Sequence, residues 1–170
     1  MSKNTATPKA VPALLPTLND LPKPAREKSV ILLNQVLADL SDLHSHAKYA
    51  HWNVRGPGFF PQHELFDKLA GEFFEPLDDI AERIVALGGT ARGTVRAIAA
   101  ASALPEFPSE AGKPGFIVAL AERAAGVAKS VRAGVDATAG AGDTGTSDLL
   151  TGLSRTLDKA LWFLEAHTRV

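Results

Sequence analysis

Apolar side chains recur at three- and four-residue intervals over four long stretches of the chain, and no stretch holds the strict alternation of a half-buried strand. Val30, Leu33, Leu37, Leu40 and Leu43, continued by Ala47 and Ala50, predict a first helix from about Pro24 to Val54. Arg55-Gly56-Pro57-Gly58 stops it, because glycine and proline do not comfortably continue a helix. Leu65, Leu69, Phe73, Leu77, Ile80 and Ile84 predict a second helix from about Pro61 to Leu87, closed by Gly88-Gly89. Pro76 lies inside it, cannot donate to the Glu72 carbonyl, and predicts a kink. Phe116, Leu120, Ala124, Val127, Val131 and Val135 mark a third helix from about Glu110 to Thr138, with Pro114 tolerable only in its first turn or as an irregularity. Leu149, Leu150, Leu153, Leu157, Leu161 and Leu164 mark a fourth, from near Ser147 to near Thr168.

The connections arrange these helices. The first two are joined by a short loop and should be antiparallel neighbours. Residues 139–146 form a glycine-rich turn, with neither the lysine nor the preceding strand of a phosphate loop. Residues 90–108 are a long connection, with a short helix expected from about Gly93 to Ser102 and coil from Leu104 to Pro108. A long crossover between two antiparallel pairs is the ferritin-like arrangement. The expected fold is therefore all-α: a ferritin-like four-helix bundle over residues 25–170, with a short extra helix in the crossover. Residues 1–24, rich in proline, threonine, serine and lysine, should be a loosely held tail.

Composition narrows the function classes. A chain of 170 residues suffices for one domain with a sizeable core. A net charge of −1 provides no general field for nucleic acid. The first residues are locally basic: Lys3, Lys9, Lys23, Arg26 and Lys28 outnumber Asp20 and Glu27, so the tail is either a solvated terminus or a thin arm for DNA phosphates. No cysteine is present, which excludes disulfides and thiolate ligands and fits a reducing compartment. No apolar run spans a bilayer and the proline-interrupted start does not resemble a signal peptide, so a cytoplasmic location is expected.

The candidate chemistry lies between His51 and Glu82. His63 and Asp67 are four apart, one turn along a single face, and Asp78 and Glu82 repeat the spacing. The two pairs point the same way but stand roughly 16 Å apart at 1.5 Å per residue, so one metal ion cannot touch both on one straight helix. A second copy of the helix, antiparallel about a two-fold axis near Glu72 and Phe73, would bring His63 and Asp67 of one subunit to Asp78 and Glu82 of the other. Symmetry then makes two sites per dimer, roughly 22 Å apart on a straight rod. Gly71 would ease the approach of the backbones. His51, in the last turn of the first helix, can join. The resulting nitrogen and oxygen set suits iron, zinc or manganese. The competing reading is a solvated face with local pairs among Lys68, Glu72, Asp79 and Arg83. His44 and His46 are assigned to the helix surface or bundle edge, and Trp52 to the core.

Several motifs together carry a family likeness: Lys48-Tyr-Ala-His-Trp-Asn-Val-Arg-Gly-Pro, His63-Glu-Leu-Phe-Asp, Asp78-Asp-Ile-Ala-Glu-Arg followed by Ala86-Leu-Gly-Gly, and the Leu157-Asp-Lys-Ala-Leu-Trp-Phe-Leu-Glu-Ala-His ending. From about Lys28 to the C-terminus the chain resembles the Dps proteins, the DNA-binding proteins of starved cells, which are small ferritins. The resemblance implies a hollow shell of twelve subunits with ferroxidase centres at two-fold interfaces. It implies iron as the metal, His51, His63 and Asp67 as ligands from one subunit, and Asp78 and Glu82 as ligands from its mate. It also implies hydrogen peroxide as the preferred oxidant of Fe(II), and storage of ferric mineral in the cavity. Lys48 matches a position that pairs with a site carboxylate in some members, and Trp52 an aromatic beside the centre. Asp143 and Asp148, near the start of the fourth helix, either line an acidic three-fold pore or cap that helix. No Glu-x-x-His motif of the intrasubunit di-iron ferritins occurs. The runner-up function is a DNA-compacting shell with secondary iron chemistry.

Overall fold

The computed structural model describes residues 13–109 and 115–168. Over them the chain forms six helices and no strand: α1 (Lys23–Asn53), α2 (Phe59–Phe74), α3 (Pro76–Ala86), α4 (Val95–Ala101), α5 (Phe116–Ala139) and α6 (Thr144–Ala166). α2 and α3 are one helix bent at the expected proline, with the break at Glu75. The bundle thus has four long members, with α1 packed on α2 and α5 on α6, and α4 in the crossover.

The α1 stripe is buried throughout, from Val30 to Ala50. On the bent helix Leu69, Phe73, Ile80 and Ile84 are fully buried, but Leu65 and Leu77 only partly. Phe66, outside the expected stripe, is fully buried instead. The buried stripe runs through Phe66, Leu69, Phe73, Ile80, Ile84 and Leu87 on one face across the bend, and Leu65, one residue or about 100° of helix from Phe66, falls at its edge. α6 starts three residues before the expected Ser147. Asp143 is its N-cap and accepts the Thr146 N–H at 3.0 Å. Thr144, Gly145 and Thr146 are poor helix formers, so the capped first turn resembled loop. Leu161 on α6 is half-buried, and Ala160 takes the core position. α5 begins at Phe116; Pro114 and the expected start at Glu110 lie outside the described residues.

The crossover is pinned to the bundle. The Arg123 guanidinium donates to the Pro105 carbonyl at 3.2 Å and the Glu106 carbonyl at 2.6 Å, and stands 5.1 Å from the Phe107 ring centroid. The Ala103 N–H donates to Asp39 and the Tyr49 hydroxyl to the Ser109 carbonyl. This loop corrects the placement of His46. It is buried rather than at a surface, because Phe107 folds back onto its ring at 4.9 Å between centroids. Burial pushes the His46 pKa down, against the opposing pull of Asp42. His44 is half-buried, and its Nδ1–H donates to the Ala70 carbonyl at 2.9 Å.

Part of the expected tail is held in place. Residues 13–22 carry no helix, yet the Leu15 N–H donates to the Gly88 carbonyl at 2.8 Å and Leu14 and Leu21 pack against the core. Arg26 donates to the carbonyls of Leu21 and Leu87, both at 3.1 Å. Residues 1–12, with Lys3 and Lys9, lie outside the described residues. Gly88 permits the docking: its φ is +85°, and an added Cβ would lie 2.6 Å from the Leu15 carbonyl oxygen. Gly88→Ala is expected to destabilise the fold by about 1–3 kcal/mol. Hydrogen exchange should show the Leu15 amide losing protection first. Among the described residues no helix is long and apolar enough to cross a membrane.

Candidate metal centre

α1 ends at Asn53, and α2 starts after the turn at Gly58, whose φ is +79°. The turn sets the last turn of α1 beside the first turn of α2, and so brings His51 to His63. Their rings stack with centroids 3.8 Å apart. Each ring is clamped by the other's backbone. His51 Nδ1 lies 2.9 Å from the His63 carbonyl oxygen, and His63 Nδ1 lies 3.0 Å from the His51 carbonyl oxygen. A carbonyl only accepts, so both Nδ1 atoms carry the proton. In neutral rings both Nε2 atoms then keep a lone pair, and this is how an outer hydrogen bond prepares imidazole to bind a metal.

Asp67 joins one turn further along α2. Its Oδ1 is 4.0 Å from His51 Nε2 and 2.6 Å from the Lys48 ammonium. The hydrogen bond from Lys48 holds the Asp67 carboxyl below its ordinary pKa; partial desolvation opposes it, and the charges of Lys48, His51 and His63 add to it. A carboxylate and two prepared imidazoles make a hard, mixed donor set that fits Fe(II). The resemblance assigned Lys48 to a site carboxylate, and Asp67 is the one it reaches.

Asp78 and Glu82 are on α3, beyond the bend, and both are exposed. Among the described residues no three His, Asp or Glu side chains of the single chain are grouped to hold a metal ion. The candidate ligands therefore fall in two separate places: His51, His63 and Asp67 at one end of the bent helix, and Asp78 and Glu82 along its second half. Exposed aromatics flank the first. Phe60 is 66% and Phe74 61% exposed, and both share a face with Asp67 at seven-residue spacing. Gly71 on α2 is also exposed, with nothing within 4 Å of an added Cβ.

The neighbours of the centre bear out some expectations and change others. Trp52 is not in the core but 68% exposed, with Lys48 Nζ 5.8 Å from its ring. One residue is about 100° of helix, so turning His51 toward His63 turns Trp52 outward. Of the two readings of Asp143, the cap is the one seen: it is fully buried as the N-cap of α6, whereas Asp148 is exposed. Lys68 pairs with Glu72 at 3.8 Å as a solvated face would, but Arg83 reaches away to Asp143 at 2.6 Å. Nothing in local spacing announced that contact, because its partner is 60 residues away.

The family model of the Ferritin-like domain matches residues 31–170. A DNA protection during starvation protein of Agrobacterium fabrum is 43% identical over 154 residues, which cover 90% of this chain and 95% of that one. Among solved structures, DpsC from Streptomyces coelicolor superposes with a TM-score of 0.89 at 33% identity, covering 97% of both chains. Dps of Mycobacterium smegmatis superposes with a TM-score of 0.84 at 29% identity, covering 93% of this chain and 94% of that one. The chain belongs to the ferritin-like family, as a member of its Dps group.

Proposed function

We propose that the chain is the subunit of a ferroxidase and iron store, whose centres form where two subunits meet. The observation that carries this reading is the reciprocal clamp of His51 and His63. It leaves two imidazole lone pairs beside Asp67, with too few ligands among the described residues of one chain to complete a site. A second copy laid antiparallel on α2 would cover Phe60 and Phe74 and pass over the open backbone at Gly71. It would also bring its own Asp78 and Glu82 to the first set. Large exposed apolar side chains around a polar centre are what a protein interface looks like before it is covered. The shell that closes this association is a homo-oligomer, for which we adopt the dodecamer of the family resemblance, operating in the cytoplasm.

Fe(II) is substrate and cargo here. Carboxylates and neutral imidazoles hold it, and the Lys48 ammonium keeps Asp67 ionised until a metal takes its place. Two Fe(II) ions give up two electrons, one hydrogen peroxide takes them with two protons, and two water molecules and two Fe(III) ions result. The reaction removes both ingredients of hydroxyl-radical formation, so DNA is protected without contact between protein and nucleic acid. Ferric product then collects in the cavity as hydrous oxide. Asp148 remains available to an acidic pore that admits Fe(II).

The test is anaerobic loading of the protein with Fe(II), followed by peroxide, with absorbance followed in the near ultraviolet. The reading predicts a fast phase that saturates with the number of centres and consumes two Fe(II) per peroxide. Oxidation no faster than in protein-free solution would overturn it.

A further inference from the structure

α3 carries Asp78 and Glu82 and continues the winding of α2, which carries His63 and Asp67, but Pro76 lacks the N–H that would bond the Glu72 carbonyl, so the helix is bent and more weakly held at the join. Helix continuity therefore sets the direction of α3 less firmly than in an unbroken helix. Ile80 and Ile84, fully buried in the core that α3 shares with α1, hold α3 down, but apolar packing is non-directional. Arg26 holds only the end of the helix, at the Leu87 carbonyl. Arg83, the residue after Glu82, is different. Its Nη2 donates to Asp143 Oδ1 at 2.6 Å and its Nε to Thr146 Oγ1 at 3.0 Å. The planar guanidinium lies against Gly145, where an added Cβ would be 3.1 Å from Nη2 and 3.4 Å from Cζ.

The partner of Arg83 is itself immobile. Asp143 is fully buried and also accepts from Ser29 Oγ on α1 at 2.6 Å, from the Thr146 N–H at 3.0 Å and from Thr146 Oγ1 at 2.6 Å. A two-point hold by a planar group onto a fixed helix end fixes direction as well as distance. Rotating α3 would break one of the two bonds and would swing Glu82, the neighbouring residue, by the same angle.

We propose that Arg83 is a positioning residue for the shared centre: its hold on the N-terminus of α6 sets the rotation of α3 and with it the place of Asp78 and Glu82. This rests on the proposed function. A misplacement of about 1 Å at reacting groups costs on the order of a hundredfold, and the loss of an outer partner of a metal ligand costs about tenfold to a hundredfold in metal affinity.

The experiment uses mixed oligomers assembled from two co-expressed, differently tagged subunits at equal ratio, in which only mixed dimers can hold a complete centre. One carries His63→Ala and Asp67→Ala and contributes only its Asp78 and Glu82. The other carries Asp78→Ala and Glu82→Ala and contributes only its imidazoles and Asp67. Each mixed dimer then keeps one intact centre, and Co(II), which does not turn over, is titrated calorimetrically. Arg83→Met is placed on one subunit or the other. Its cost to folding is the same in both placements, so the placement on the imidazole-donating subunit is the reference. The expected result is Co(II) affinity about tenfold to a hundredfold weaker when Arg83→Met sits on the carboxylate-donating subunit. Arg83→Lys, which keeps a single contact, should fall between. Equal affinity in the two placements would overturn the positioning role. Mixed dimers with intact Arg83 that bind no Co(II) would overturn the shared centre, and this proposal with it.

Discussion

Replacing His51 and Asp67 together by alanine is expected to slow peroxide-driven Fe(II) oxidation by at least about a hundredfold, to the rate of iron in protein-free solution. Loss of an outer hydrogen-bond partner of a metal ligand already costs about tenfold to a hundredfold, and here two ligands themselves go. The substitution also frees the Lys48 ammonium from Asp67 and removes the His51 donor to the His63 carbonyl, while the His63 Nδ1–H keeps the backbone carbonyl of residue 51. The fold should survive, because the Asp67 side chain is about half exposed and the His51 ring, though largely covered, stacks on His63 rather than in the apolar core. Stopped-flow absorbance gives the rate and circular dichroism the helix content. A rate within a few-fold of the unaltered protein, with the helices intact, would remove these residues from the centre.

Asp143→Ala is expected to have the largest effect on stability. The carboxylate is fully buried and answers Ser29 on α1, Arg83 on α3 and Thr146 on α6. Removing it strips the cap of α6 and leaves the half-buried Arg83 guanidinium without its ion pair. Breaking a buried pair in this way costs about 3–5 kcal/mol, a fall in Tm of roughly 6–20 °C for a chain of this size. Burial pushes the Asp143 carboxyl up, but the hydrogen bonds from Ser29, Thr146 and Arg83 outweigh it and hold its pKa below the ordinary carboxylate range. A depressed carboxylate contributes stability that is complete above its unfolded value of about 3.9 and is lost as pH falls through the folded value. Thermal melts across that window should therefore show a shallower acid limb for Asp143→Ala than for the unaltered protein. A Tm shift of a degree or two would mean that the node is incidental.

Much of this architecture was readable in the chain because helix periodicity is local. The stripe from Val30 to Ala50, the break at Pro76 and the stop at Gly88 each depend on residues within a few positions of one another. The pairing of His51 with His63 was also legible, since the short Gly56–Gly58 turn leaves little freedom in where α2 starts. What escaped depended on distance or on orientation around a helix. His46 gave no sign of burial, because the Phe107 ring that covers it arrives from the crossover. Arg83 resembled a surface charge until α6 presented Asp143. Trp52 was assigned to the core by its size, yet its neighbour His51 had already claimed the inward direction. The helical start at Thr144 was hidden by weak helix formers that one aspartate caps.

The proposed division of each centre between two subunits is tested most directly by mixing subunits. The subunit with His63→Ala and Asp67→Ala and the subunit with Asp78→Ala and Glu82→Ala are each assayed alone, then co-expressed in equal amounts. Their Fe(II) oxidation by peroxide is measured in each case. Alone, each should be inactive. Together, half of the dimers are mixed and each mixed dimer holds one complete centre of two, so activity should return to about a quarter of the unaltered protein. Activity that stays at the protein-free rate in the mixture, with mixed dimers verified by their two tags, would contradict a divided centre.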